Sequence, residues 1–188
     1  MGTRAEVLEP DARMSREEYM RWAEQYPTGK FERIDGVVVA MAPERVGHNL
    51  CKFAAHRALR QAVRAKGLEC QVLGDGVVVS VADSDFEPDV VVRCGSPLPR
   101  DAIAVPEPLL IVEVLSPTTS GIDRSLKLRE YFRLPSLCHY LIVWPNTARI
   151  VRHSRTPDGQ VETTPFKSGE IRFDPPGIAV PFEAFYEE

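Results

Sequence analysis

The stretch LLIVEVLSP, residues 109–117, reads as a buried strand that carries one carboxylate, Glu113. An ionised carboxylate taken out of water costs many kcal/mol unless a cation or several hydrogen-bond donors meet it. Something must therefore face Glu113. A second acid stands in the same kind of setting: in FEPDVVVRC, Asp89 follows Pro88 and opens another apolar run. If the two strands are neighbours, both carboxylates converge on one spot, and one of them is forced to hold a proton unless a cation lies between them. The sequence offers two cations. One is a divalent metal; hard oxygen ligands without a Cys/His cluster favour Mg²⁺ or Mn²⁺ over zinc. The other is Lys127, which shares a helical sector with Tyr131 and Leu134, four and seven residues on. An Asp, a Glu and a Lys around a divalent ion are equipment for hydrolysing a phosphodiester. The metal neutralises the phosphate and acidifies a water, and the lysine orients that water or stabilises the developing charge. Glu32 can add a ligand or hold a second ion.

Each of these residues also has a plainer role. Glu113 alone would be an acid bonded to backbone amides or a core arginine, Asp89 a strand-entry residue, and Lys127 a solvated helix lysine. Glu32 stands evenly between metal contact and cross-strand pairing in a hairpin. The combination is what favours an active site with Asp89, Glu113 and Lys127 as catalytic residues and Asp89, Glu113 and Glu32 as metal ligands.

The elements that must position them are legible in outline. SREEYMRWAEQY (15–26) reads as a helix whose Ser15 and Glu18 form a capping box. KFERIDGVVVAMAP (30–43) reads as a hairpin turning at Asp35-Gly36. A long helix is expected over 45–66, stopped by Gly67, with strands near 69–73, 76–81, 89–94 and 108–115. GIDRSLKLREYFRLP (121–135) reads as a helix ended by Pro135. Strands near 138–144, 148–154 and 160–166 and a short helix or turn at 181–186 complete the chain. This order predicts an α/β fold, a mixed central sheet flanked by helices. Residues 1–14 read as an arm and 15–188 as a single domain, a size that allows a sizeable core.

Composition narrows the classes further. Hydrophobic content of 44% and charged content of 27% fit a globular protein, and no apolar run is long enough to span a bilayer. The net charge of −4 argues against binding nucleic acid through the whole surface but allows a local basic groove. Arg57, Arg60 and Arg64 share one stripe of the long helix, either as DNA-backbone contacts or as an ordinary solvated face. The cysteines at 51, 70, 94 and 138 lack the close spacing of a zinc knuckle or redox pair. They read as separate small residues in a reducing, cytoplasmic setting.

Taken together, FERIDGVVVAMAP, GHNL opening a helix, EPDVVV, LLIVEVLSPTT, DRSLKLREYF and HYLIVWP resemble, in order and spacing, the Uma2 family, also known as the domain of unknown function 820. That family belongs to the PD-(D/E)XK, restriction endonuclease-like superfamily. The resemblance covers roughly residues 15–155. It implies a nuclease-like core, with Asp89 as the Asp of the PD motif, Glu113 as the second acid and Glu32 as the hairpin glutamate. His48 then corresponds to the histidine that opens the long helix. The superfamily motif would place lysine two residues after the glutamate, where Leu115 stands; the resemblance assigns that role to Lys127 on the following helix. It also implies a homodimer, because the superfamily often cuts two strands with two subunits. His48 and Asp123 are accessory candidates, although Asp123 can simply charge-match the first turn of its helix. The expected activity is metal-dependent DNA cleavage. The alternative is a nuclease-fold module that no longer cleaves and binds itself or a partner.

Overall fold

A computed structural model describes residues 13–25, 29–115 and 122–187, the side chains of 122–124 excepted. Most of the arm, residues 1–12, and Ser116 lie outside the described residues, as does the side chain of Asp123. Arg13 and Met14 are not loose. Arg13 bridges to Val37, and the Met14 amide donates to the Gly36 carbonyl at 2.7 Å.

The first helix, α1 (Arg16–Gln25), begins on the expected capping box. The Glu18 amide donates to Ser15 Oγ, and the Ser15 amide donates to Glu18 Oε2 at 2.8 Å. β1 (Phe31–Ile34) and β2 (Val37–Ala40) form the expected hairpin, with Asp35 and Gly36 at φ of 49° and 83°. Positive φ at both turn positions matches the right-handed twist of the flanking strands. α2 (Val46–Ala65) is the long helix, and Gly67 takes the left-handed conformation just beyond its end. Its buried stripe of Cys51, Ala55, Ala58, Leu59 and Val63 faces the core.

β3 (Cys70–Gly74), β4 (Val79–Val81), β5 (Ser84–Phe86), β6 (Val90–Cys94) and β7 (Leu110–Val114) follow. α3 (Ile122–Tyr131) then crosses over to β8 (His139–Trp144), which lies parallel to β7. β9 (Arg149–Arg155), β10 (Val161–Phe166), β11 (Glu170–Phe173), β12 (Ile178–Pro181) and a 3₁₀ turn (Phe182–Phe185) finish the chain. The main sheet has the order β10-β9-β8-β7-β6-β3, antiparallel except for the β7–β8 pair. A second sheet runs β2-β1-β5-β4, and β11 pairs with β12.

β7 is buried on both faces, so it separates two cores. Leu110, Val112 and Val114 pack with α2 and the C-terminal hairpin, while Ile111 packs with Val79, Phe86, Tyr131 and Tyr140. The mixed sheet flanked by helices is as expected.

Several expectations are corrected. α3 ends at Tyr131, before Pro135. Arg155 of β9 donates to the carbonyls of Phe132, Leu134 and Leu137, satisfying that end of the helix and turning the chain early. The strand near 76–81 shrinks to β4, and the short β5, β11 and β12 had no strong sequence signal. Cys70 and Cys94 are not separate thiols but form a disulfide, because the β3–β6 register sets them opposite each other; Cys51 and Cys138 are free. Among the described residues, no helix is long and apolar enough to cross a membrane.

Candidate functional site

β6 and β7 are neighbours, with Val90 opposite Val112. Continued by one residue, that register sets Asp89 opposite Glu113. The Val114 amide donates to Asp89 Oδ2 at 2.6 Å, which holds the aspartate against the end of β7. Glu113 lies on the Ile111 face of its strand, toward α3.

α3 returns over that face with Lys127 and Tyr131 one turn apart, both buried. The Lys127 ammonium lies 2.9 Å from Glu32 Oε1 and 3.2 Å from Glu113 Oε1. The Tyr131 hydroxyl donates to Glu113 Oε1 at 2.8 Å. Glu32, reaching in from β1, also accepts the Glu87 amide at 3.1 Å. The sequence-predicted Glu32, Asp89, Glu113 and Lys127 are thus all buried in one neighbourhood, supplied by two sheets and a helix.

Burial pushes the Glu113 carboxyl up to about 8. Lys127 opposes that shift, the charges of Asp89 and Glu32 add to it, and the Tyr131 hydrogen bond opposes it. Glu32 and Glu113 share the one Lys127 charge, with Asp89 beside them, and carboxylates gathered in a desolvated place are the chemistry of a cation-binding site.

A second cluster adjoins the first; sequence reasoning named its Asp89 and His48 but missed Glu44, Lys52, Asp75 and Lys30. His48 and Lys52 stand one turn apart on the N-terminal half of α2, and Glu44 lies just before the helix begins. The Lys52 ammonium sits 2.7 Å from Glu44 Oε1, 2.7 Å from Asp75 Oδ2 and 3.2 Å from Asp89 Oδ1. Burial acts to lower its pKa, but its hydrogen bonds to Asp75 and Glu44 and the charge of Asp89 prevail and raise it. Lys30 joins the same carboxylates, 3.2 Å from Glu44 and in contact with Asp75. The spacing of Glu44, His48 and Lys52 was the available signal; Asp75 and Lys30 had none, since only folding brings them in. His48 does more than open the helix: its ring spans the Val114 carbonyl and Glu44.

Among the described residues, the acids and histidines whose ligand atoms lie mutually within 4.8 Å are Glu44, His48 and Asp89. Glu32 and Glu113 meet on Lys127 instead. The three arginines of α2 diverge in setting. Arg57 donates to the Glu187 carbonyl at 2.7 Å, whereas Arg60 and Arg64 are exposed. Counting 1.5 Å per residue, Arg60 lies roughly 18 Å along the helix from His48.

Comparison with known proteins places this architecture. A family model described as "Uma2: Putative restriction endonuclease" matches residues 16–183. Two proteins of Synechocystis sp. (strain ATCC 27184 / PCC 6803 / Kazusa) are similar over most of their lengths. "Uncharacterized protein slr1290" is 32% identical over 164 residues, covering 80% of this chain and 78% of the relative. "Uncharacterized protein sll1609" is 31% identical over 160 residues, covering 83% and 90%. Among solved structures, a "putative nuclease belonging to DUF820 from Anabaena variabilis ATCC 29413" superposes with a TM-score of 0.76. It shares 15% identity, covers 92% of this chain and 97% of its own, and so bears on the fold alone: a restriction endonuclease-like α/β core.

Proposed function

The chain belongs to the Uma2 family, and from that premise we propose that it is a Mg²⁺- or Mn²⁺-dependent endonuclease hydrolysing phosphodiester bonds of DNA. The observation that carries this reading is the buried Lys127 ammonium held between Glu32 and Glu113, with Asp89 beside them on the neighbouring strand. Asp89, Glu113 and Glu32 are the residues that would hold the divalent ion. A bound ion supplies charge neutralisation at the phosphate and a water of lowered pKa.

The protein's own groups do the rest. Lys127, held between Glu32 and Glu113, directs an N–H toward the attacking water or toward charge developing on phosphorus-bound oxygen. Tyr131 and the Val114 amide hold Glu113 and Asp89 in place. Water adds at phosphorus, the bond to the leaving sugar oxygen breaks, and that oxygen takes up a proton. Arg60 and Arg64 serve as distant phosphate contacts, each making binding more salt-sensitive. Cutting both strands calls for two copies, so the proposal includes a homodimer.

A specific observation favours a second reading, a fold that no longer cleaves and acts in binding. Each acid of the pair already has a lysine: Lys52 on Asp89 and Lys127 on Glu113. Plasmid cleavage with Mn²⁺ or Mg²⁺ separates the two. The endonuclease reading expects nicking or linearisation that falls by about 10²-fold or more in Glu113→Gln and in Lys127→Ala. Purified wild-type protein that leaves DNA intact with either ion, or a Glu113→Gln variant that cuts as well as wild type, defeats it.

A further inference from the structure

Cys70 and Cys94 join the edge strand β3 to its inner neighbour β6, and the strand register decides how their bond can be reached. The Gly95 amide donates to the Glu69 carbonyl at 2.8 Å. Antiparallel pairs alternate, so the next pair along, Cys70 and Cys94, exchanges no backbone hydrogen bonds, and neither does the pair Val72 and Val92. The peptide groups of Val72 therefore point away from β6, over the open edge of the sheet. His56 Nε2 donates to the Val72 carbonyl at 3.1 Å, and the Val72 N–H points outward as an edge donor.

An open groove of about 360 Å³ runs along that edge, with Arg60, Arg64, Cys70, Gln71 and Val72 in its walls. Both arginines are exposed, and among the described residues no carboxylate lines the groove with them. Two guanidinium groups beside a backbone donor suit a short peptide that carries carboxylates. The sulfur adds chemistry to that fit. Cys70 lines the groove and Cys94 does not, because β6 is the inner of the two strands. A thiolate attacks a disulfide in line with the bond, so a nucleophile in the groove meets Cys70 Sγ from the side away from Cys94. Both cysteines are only half-buried, and the bond is not sealed in the core.

We propose that this groove is a thiol–disulfide exchange site, where a small peptide thiol carrying carboxylates binds against Arg60 and Arg64 and attacks Cys70. Its thiolate forms a bond to Cys70 Sγ, the Cys70–Cys94 bond breaks, and the electron pair leaves on Cys94 Sγ. Cys94 takes up the proton that the attacking thiol gave up. A second molecule of the thiol then attacks the outer sulfur of the mixed disulfide. Cys70 leaves as a thiolate and takes up that molecule's proton. The protein disulfide is thereby reduced by two electrons, and the two small thiols depart as their own disulfide. The arginines act twice, holding the carboxylates of the peptide and favouring its thiolate form. None of these steps depends on DNA cleavage or on Glu113.

The test reacts the oxidised full chain with glutathione at neutral pH and low salt, quenches with acid and maps the products by mass spectrometry. The early adduct is expected on Cys70, with Cys94 as the released thiol. The double variant Arg60→Gln, Arg64→Gln should react with glutathione about tenfold more slowly, and with uncharged 2-mercaptoethanol at the wild-type rate. Added salt should likewise slow the glutathione reaction of wild type and leave the 2-mercaptoethanol reaction unchanged. An adduct formed chiefly on Cys94 overturns the site, as does equal slowing of both thiols in the double variant. So does a disulfide that resists glutathione until urea unfolds the chain, since the bond is then purely structural. Should the double variant fail to fold, wild type still decides: a glutathione rate that does not respond to salt defeats the proposal.

Discussion

Glu113 remains in a strand buried on both faces because specific groups meet it, and Tyr131 is the neutral one among them. Its hydroxyl donates to the carboxylate at 2.8 Å, while its ring packs between Phe86 and Tyr140 at centroid distances of 5.1 and 5.3 Å. Tyr131→Phe keeps the ring and removes only the donor. Hydrogen bonds to charged groups contribute about 1.5–3 kcal/mol, so the variant should lose stability in that range in urea unfolding at about pH 9, above the raised Glu113 pKa. The contact was half visible in the sequence. Lys127 and Tyr131 share a helical stripe, but that the stripe faces Glu113 follows from the crossover of α3 onto β7.

At the scale of elements, Glu32 depends on how β1 is anchored. Arg33 stands opposite Asp85 of β5, and its Nε donates to Asp85 Oδ2 at 2.6 Å with both side chains almost fully buried. Arg16 of α1 and Ser80 of β4 donate to the other oxygen at 2.7 and 2.6 Å. One carboxylate thus ties together α1, β1, β4 and β5. Asp85→Ala leaves the buried Arg33 cation without its partner, a loss that typically costs about 3–5 kcal/mol; Arg16, largely exposed, adds little. Chemical denaturation should show that loss. A change below about 1 kcal/mol would mean that Arg33 finds water or another acid instead.

For the whole molecule, acid stability depends on buried histidines, above all His139 where the C-terminal hairpin meets the main sheet. His139 donates from Nε2 to the Pro175 carbonyl at 2.8 Å and accepts the Ser154 hydroxyl at Nδ1, so it is held as the neutral ring. Burial lowers its pKa to about 4; the Pro175 bond opposes the shift and Arg152 adds to it. Burial moves His153 in the same direction. The unfolded chain, with an ordinary histidine pKa near 6.5, binds the proton first as pH falls. Stability is therefore full above about pH 6.5 and declines toward pH 4, by on the order of 3 kcal/mol from His139. Urea unfolding of wild type and His139→Gln between pH 7 and 4 should show the shallower decline in the variant. Parallel slopes would assign the acid loss to carboxylates.

Local chemistry that the sequence determined by itself came through with its boundaries nearly intact. The Ser15–Glu18 box, the Asp35-Gly36 turn, the length of α2 and the apolar runs of β6 and β7 are short-range signals, carried by residues that touch within a turn or a strand. Lys127 was named as a partner of Glu113 because an acid in an apolar strand announces its need, whereas Tyr131 was only placed on the same helical stripe. Tertiary structure alone decided what meets across distance. Cys70 reaches Cys94 through strand register, Arg155 closes the end of α3, and Asp75 and Lys30 join Lys52 beside Asp89. These contacts depend on how sheets and helices stack, and no spacing along the chain encodes that directly.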